Sequence, residues 1–364
     1  MATDDFAILT CISSYADPSY PTIDGPPNDL LLVKDWLMSP QGGGLIEENI
    51  KIVKTPQPYP TSIDPDEAPP IPAEFDLHFK KIMRSRLALG AERVKNRLYL
   101  YFSGHGFCNR SLDRPAEAAL YCANASREFY EHIFGTQYAR VAQGRALFKE
   151  IVLIMDCCRD SEIARVPRAA SYRDTPDDEL AAGVLLLSVY AVPKGGKAQE
   201  RAIGERGNKV YGLLTHAILK LLEELPASSQ NAISSSELKQ QLLQNWQAIC
   251  GTDSAPRPEV YVPASGDIFL NTKGRGSLIT FKLPPATLGA TLEIFDPSFR
   301  SIAVFDLSNR TKNPIPDGAA LVSFERIETE LRLRMRMGLY QYRVNVPAKT
   351  DTFKVDGSNG YIQL

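Results

Sequence analysis

The chain is 364 residues long, 44% hydrophobic and 23% charged, with a formal net charge of −2. That length holds a full-sized core and two expected domains, and the near-neutral balance argues against nucleic acid or an anionic membrane surface as partner. The opening "MATDDFAILT" has acids where a secretory signal carries positive charge, and the longest apolar stretch, "AAGVLLLSVYAV" at 181–192, is too short to span a bilayer; the expected compartment is the cytoplasm. Six cysteines without a CxxC pair make no disulfide framework, so they are expected as thiols.

In chain order, "DFAILTCI" (5–12) is a predicted strand. "NDLLLVKDWLMS" (28–39) sets Leu31, Leu32, Trp36 and Leu37 near a 3.6-residue period and predicts an amphipathic helix. "ENIKIV" (48–53) is a second strand, and the dense prolines of residues 55–72 predict an exposed loop. A helix follows over 73–89, then strands over 97–103, 151–156 and 183–189, a Gly-rich stretch read as a mobile loop near the active site, and a helix over 210–225. This alternation predicts an α/β domain over 1–272, a mostly parallel sheet flanked by helices. From residue 273 the pattern changes to short runs of period two, such as "TLEIFD" and "LYQYRVNV", and predicts a small antiparallel β-sandwich over 273–364.

Two predicted strands end in loops that carry reactive groups. "LYLYFSGHGF" delivers His105 between glycines, and "IVLIMDCCRD" delivers Cys157 and Cys158. Ligands of open α/β sheets bind outside the carboxyl ends of the strands, which is where both loops lie. A free thiol is mostly neutral at pH 7, and an adjacent imidazole either takes its proton or stabilises the thiolate. The backbone N–H groups of Gly106 and Cys158 are candidate donors to an oxyanion. Strand alternation puts Asp156 and Cys158 on one face and Cys157 on the other, so Cys158 is the candidate nucleophile and Cys157 is expected in the core. Asp156 beside a thiol raises its pKa, which suits substrate binding better than activation, and Asp29 can reach the same edge of the sheet. The competing readings are a structural His105, an inert Cys158, and a metal site from His105, Cys108, Cys157 and Cys158. Adjacent cysteines are poor tetrahedral ligands, so no metal or other cofactor is expected.

These motifs resemble those of the caspase-like cysteine peptidases, on the bacterial metacaspase and orthocaspase side. "YLYFSGHG" is similar to the family's His motif, "IMDCCRD" to its Cys motif and "GLLTHAIL" to its late helix, and 53 residues separate His105 from Cys158. The resemblance covers about residues 5–272. It implies a caspase-like fold, a Cys158–His105 dyad, an oxyanion hole from Gly106 and Cys158, and Asp29 and Asp156 lining a pocket for Arg or Lys before the scissile bond. It implies a protein or peptide substrate, self-processing in the linker 159–179 at Arg165, Arg168 or Arg173, and a role in bacterial stress, cell-death or antiviral programmes. The β-sandwich is expected to dock a substrate or activator. Where the family continues His-Ser-Gly after its cysteine, this chain has Arg159-Asp160-Ser161, so Arg159 can compete for the acids. The reading from another class is a catalytically silent docking or signalling module, which needs neither Cys158 nor His105.

Overall fold

Strand alternation with both faces apolar organises the first part of the chain. The computed structural model describes residues 5–39, 42–59, 64–87, 97–109, 117–162, 181–224, 233–251, 254–270, 277–284, 289–296, 299–307, 321–327, 329–335, 338–355 and 360–364. Its main sheet joins β1 (Phe6–Cys11), β2 (Ile50–Lys54), β3 (Arg97–Gly104), β7 (Glu150–Cys157), β9 (Leu185–Tyr190) and β13 (Glu259–Tyr261), in the order β13-β9-β7-β3-β1-β2. All neighbours are parallel except β13, which runs antiparallel to β9 at the edge. This is an α/β fold, as the sequence predicts.

Leu9, Tyr101 and Val152 face a layer formed by α1 (Gly25–Met38), α4 (Leu213–Glu224) and α5 (Ser235–Cys250). Ile8, Leu100 and Leu153 face the opposite layer, formed by α2 (Pro72–Leu87) and α3 (Gly135–Gly144). Burial on both sides explains the near-continuous apolar runs of the central strands.

Smaller sheets cluster around this frame. β4 (Gly106–Asn109), β5 (Ala119–Tyr121), β6 (His132–Ile133) and β8 (Asp160–Glu162) form one, β10 (Glu200–Ile203) and β11 (Lys209–Gly212) form a hairpin, and β12 (Ile233–Ser234) pairs with β14 (Phe269–Leu270). The hairpin corrects the predicted helix at 210–225: Lys209–Gly212 pairs with Glu200–Ile203, and the helix begins only at Leu213. Val210 and Tyr211 suit a strand, and apolar residues resume directly after Gly212 in α4, which hides the boundary. The short helix α3, the helix α5 and the edge strand β13 were not predicted.

The C-terminal residues form β15 (Ser277–Lys282), β16 (Thr291–Phe295), β17 (Ser301–Asp306), β18 (Leu321–Ile327), β19 (Glu330–Met335), β20 (Gly338–Asn345), β21 (Ala348–Val355) and β22 (Gly360–Gln363). Two four-stranded sheets, β18-β19-β15-β22 and β17-β16-β20-β21, share a core that includes Phe281, Leu292, Phe305, Leu333 and Tyr342. The β15–β22 pair is parallel, a departure from the all-antiparallel expectation. No described helix is long and apolar enough to cross a membrane.

Candidate active site

The register of two central strands brings the two reactive loops together. β3 pairs with β7 so that Ser103 lies opposite Asp156 and Gly104 opposite Cys157. The next residue of each strand, His105 and Cys158, therefore leaves the sheet side by side at its carboxyl edge. Both line one cleft, with Asp29, Ser103, Asp156 and Glu200 among the other walls. Cys157 is 1% exposed and packs with Phe107 and Met155 in the opposite layer, while Cys158 is half-buried. The alternation of Ile151, Leu153, Met155 and Cys157 into that layer leaves Asp156 on the other face.

His105 is held from two directions. Its backbone N–H donates to the Tyr15 hydroxyl at 2.8 Å, and its ring Nε2 lies 2.8 Å from the carbonyl oxygen of Pro21. The Tyr15 ring sits 5.0 Å from the imidazole, centroid to centroid. Burial pushes the Tyr15 phenol well above its ordinary range, so it stays neutral as it orients the loop. Gly106 follows, and a Cβ there would fall 2.6 Å from Cys157 Sγ, so only glycine lets β4 pass this close to β7. Tyr121 N–H donates to the His105 carbonyl, which makes Gly106 and Leu120 a non-hydrogen-bonded pair across β4 and β5. The Gly106 N–H consequently points away from β5.

The thiol of Cys158 is pushed up by burial, and its S–H points to the Ala198 carbonyl 4.0 Å away. At neutral pH it rests as a thiol, and a base must take its proton before it attacks anything.

Two buried carboxylates anchor the far wall at the start of α4. Asp29 accepts from Ser103 Oγ at 2.9 Å and from Gly212 N–H at 3.0 Å. Asp156 accepts from the N–H and the hydroxyl of Thr215, at 2.9 and 2.7 Å. A Cβ on Gly212 would sit 2.2 Å from Asp156 Oδ2 and 3.0 Å from Asp29 Oδ2, so the backbone threads between the acids only because it is glycine. Those distances put the carboxylates within about 5 Å of each other, close enough for each charge to disfavour the other. Burial, then the Asp156 charge, raises Asp29 well above the carboxylate range; burial raises Asp156 to about 6 against the pull of its Thr215 bonds. Among the described residues, no ion pair reaches either carboxylate.

Glu200 is the third acid of the cleft, and the sequence reading missed it. Its carboxylate accepts from the N–H groups of Gly25 at 2.8 Å and Asp24 at 3.2 Å, occupying the N-terminus of α1, where no side chain of the helix itself caps. Ser103, Gly212 and Thr215 were also missed as site residues. Ser103 stands inside the quoted "SGHG", and the other two stand in "YGLLTHAIL", a run that reads as helix.

Arg159 turns away from the acids. Its Nη1 donates to Glu259 Oε2 at 2.6 Å and to Val192 O at 3.1 Å, its Nε donates to Glu117 O at 2.9 Å, and its guanidinium carbon lies 4.5 Å from the centre of the Tyr190 ring. The candidate self-processing residues Arg165, Arg168 and Arg173 lie outside the described residues.

No family model and no curated protein matches the chain. Among solved structures it is similar to caspase-1 from Spodoptera frugiperda, at 10% identity and a TM-score of 0.42 over 74% of this chain and 90% of that one. It is also similar to pro-sf-caspase-1, at 11% identity and a TM-score of 0.39 over 72% of this chain and 92% of that one. At those scores the likeness carries no argument about chemistry, which rests on the residues of the cleft.

Proposed function

We propose that the protein is a cysteine endopeptidase of the caspase-like group, on its metacaspase side, that cuts after Arg or Lys. The observation that carries this reading is that Cys158, His105 and the buried carboxylates Asp29 and Asp156 line one cleft. A carbonyl only accepts, so the His105 Nε2 facing Pro21 carries the ring proton and Nδ1 is the basic nitrogen. Nδ1 takes the thiol proton as Cys158 Sγ bonds to the peptide carbonyl carbon, and the oxyanion is received by the N–H groups of Gly106 and Cys158. Collapse of the tetrahedral adduct breaks the C–N bond, and the imidazolium returns its proton to the leaving amine. Water then attacks the thioester with His105 as base, releasing the carboxylate product and the thiol.

Asp156 and Glu200 supply the negative charge of a wall, lined also by Asp29, that receives a guanidinium or ammonium side chain, and Arg159, engaged with Glu259, leaves them to the substrate. In the same reading, residues 1–272 are the peptidase and 273–364 an accessory unit that docks a substrate or activator. Self-processing falls at Arg165, Arg168 or Arg173, and the setting is a cytoplasmic stress, cell-death or antiviral programme. A fluorogenic peptide panel varied at the residue before the cut, with and without calcium, on wild type and Cys158→Ala, tests the core of it. Arg and Lys peptides are expected to be cut by wild type alone; equal or faster cutting after Asp sinks the basic specificity, and equal rates in Cys158→Ala sink the nucleophile.

A further inference from the structure

The bonds of Asp156 come from the first turn of α4, and they fall unevenly on its two oxygens. Thr215 N–H is one of the backbone donors that a helix start leaves without an intrahelical acceptor, and the Thr215 hydroxyl adds a second; both converge on Oδ2. Oδ1 receives neither bond and is left to a ligand of the cleft that Asp156 lines. Behind Thr215 stands Tyr101 of β3, whose hydroxyl lies 2.5 Å from Thr215 Oγ1. Both side chains are buried, and the cavity beyond them is walled largely by apolar groups such as Val33, Ile154, Ile218 and Leu219. The Thr215 proton goes to the carboxylate, so the Tyr101 hydroxyl, kept neutral by burial, donates to Thr215 Oγ1. The other titratable groups near Asp156 are Asp29 on α1, Glu200 on β10, His105 beyond β3 and the thiols of Cys11, Cys157, Cys158 and Cys250. Among the described residues, Thr215 alone donates to it.

We propose that Thr215 and, behind it, Tyr101 are positioning residues for substrate selection: their chained hydroxyls hold Asp156 ionised, with Oδ1 turned to the basic side chain before the cut. The proposal rests on the peptidase reading. A buried carboxylate this close to Asp29 loses free energy when it ionises, and donors fixed beforehand on one oxygen offset that loss while leaving the other oxygen to the substrate. The chain does not extend to Asp29, which takes its donors from Ser103 and Gly212. The plain alternative is that Asp156 merely caps α4, in which case loss of the hydroxyl weakens the fold without discriminating between substrates.

The test uses the full chain with Thr215→Val, Thr215→Ser and Tyr101→Phe. Measured are kcat and KM for an Arg peptide and an uncharged peptide across pH, and the titration of the Asp156 carboxyl carbon by NMR, its signal assigned with Asp156→Asn. Thr215→Val should lower kcat/KM on the Arg peptide by about 10-fold, mostly in KM, and Tyr101→Phe by about threefold, with the uncharged peptide within about twofold. The Asp156 midpoint should rise by about one pH unit in Thr215→Val, because the ionised form has lost a donor, and by less in Tyr101→Phe. Thr215→Ser, which keeps the hydroxyl, should restore both readings. An unmoved midpoint in Thr215→Val overturns the proposal, as do equal losses on the two peptides or a Thr215→Ser variant as impaired as Thr215→Val. If Thr215→Val does not fold, Tyr101→Phe decides, and an unmoved midpoint there overturns the chain. If wild type cuts no peptide, the peptidase reading fails, and the carboxyl titration still decides the chain.

Discussion

The main α/β unit and the C-terminal sandwich bury different kinds of residue. Among the described residues, the first buries Asp29, Glu117, Asp156, Arg159 and His216, along with a dozen other polar or charged side chains, whereas Thr280 is the one buried polar side chain from residue 273 onward. Burying a polar group is unfavourable unless it is matched, and burying a charge far more so. The sandwich core is built of apolar groups. The main unit accepts the cost in the cleft, where two carboxylates stand within reach of one glycine, and behind it, where Arg159 and Glu259 meet. Costly burial is thus confined to the main unit among the described residues, in the cleft and also at the other end of the sheet, where Arg97 meets Glu150.

The comparison breaks most sharply at the doubled cysteine. Cys158→Ala should abolish peptide turnover, a loss of at least about 10³-fold, because the acylated atom is gone. Cys157→Ala should keep most of the activity and lower stability by about 1 kcal/mol through lost packing, measured by urea denaturation. Comparable losses of turnover in both variants would erase the distinction between the two faces of β7.

Next in size, Asp156→Asn should lower kcat/KM for Arg and Lys peptides by about 10²-fold, while uncharged substrates lose little. An equal loss for both substrate classes would make Asp156 structural rather than selective.

In the sandwich, Phe281→Ala should lower that unit's stability by about 3–5 kcal/mol, read by hydrogen exchange in β15 and β19, and leave kcat per folded molecule unchanged. Loss of kcat would show that the sandwich supports the cleft, against the division proposed at residue 272.

The smallest expected effect is on pH. With its pKa raised to about 6, folded Asp156 holds more proton than the unfolded chain between about 4 and about 6. Stability from this group therefore falls as pH rises through that window, while the negative charge that attracts a basic side chain appears. Wild type should accordingly lose stability between pH 4 and 6 in urea titrations and gain kcat/KM on Arg peptides, and Asp156→Asn should flatten both trends. Parallel profiles in the two proteins would remove Asp156 from either role.

Much of the site was legible because it is local. The runs ending at Gly104 and Cys157 read as strands from their β-branched and aromatic content, and alternation alone separates Cys157 from Cys158. Even the 53-residue spacing survives as the register of β3 on β7. Glu200, Gly212 and Thr215 were illegible because their relevance comes from a hairpin folding back on α1 and α4, and nothing within ten residues of any of them signals that approach. The same holds for Arg159: its charge suggested competition for the acids, and only the arrival of β13 at the sheet edge gave it Glu259 instead.

By itself, then, the sequence determined which residues carry reactive groups and which face of a strand each one takes, since backbone pleat and apolar periodicity are short-range properties. Tertiary structure decided what those groups meet. The closeness of two acids, the tether on the His105 ring and the direction of one buried arginine depend on chain segments that are remote in sequence, brought into register by burial of the layers between them.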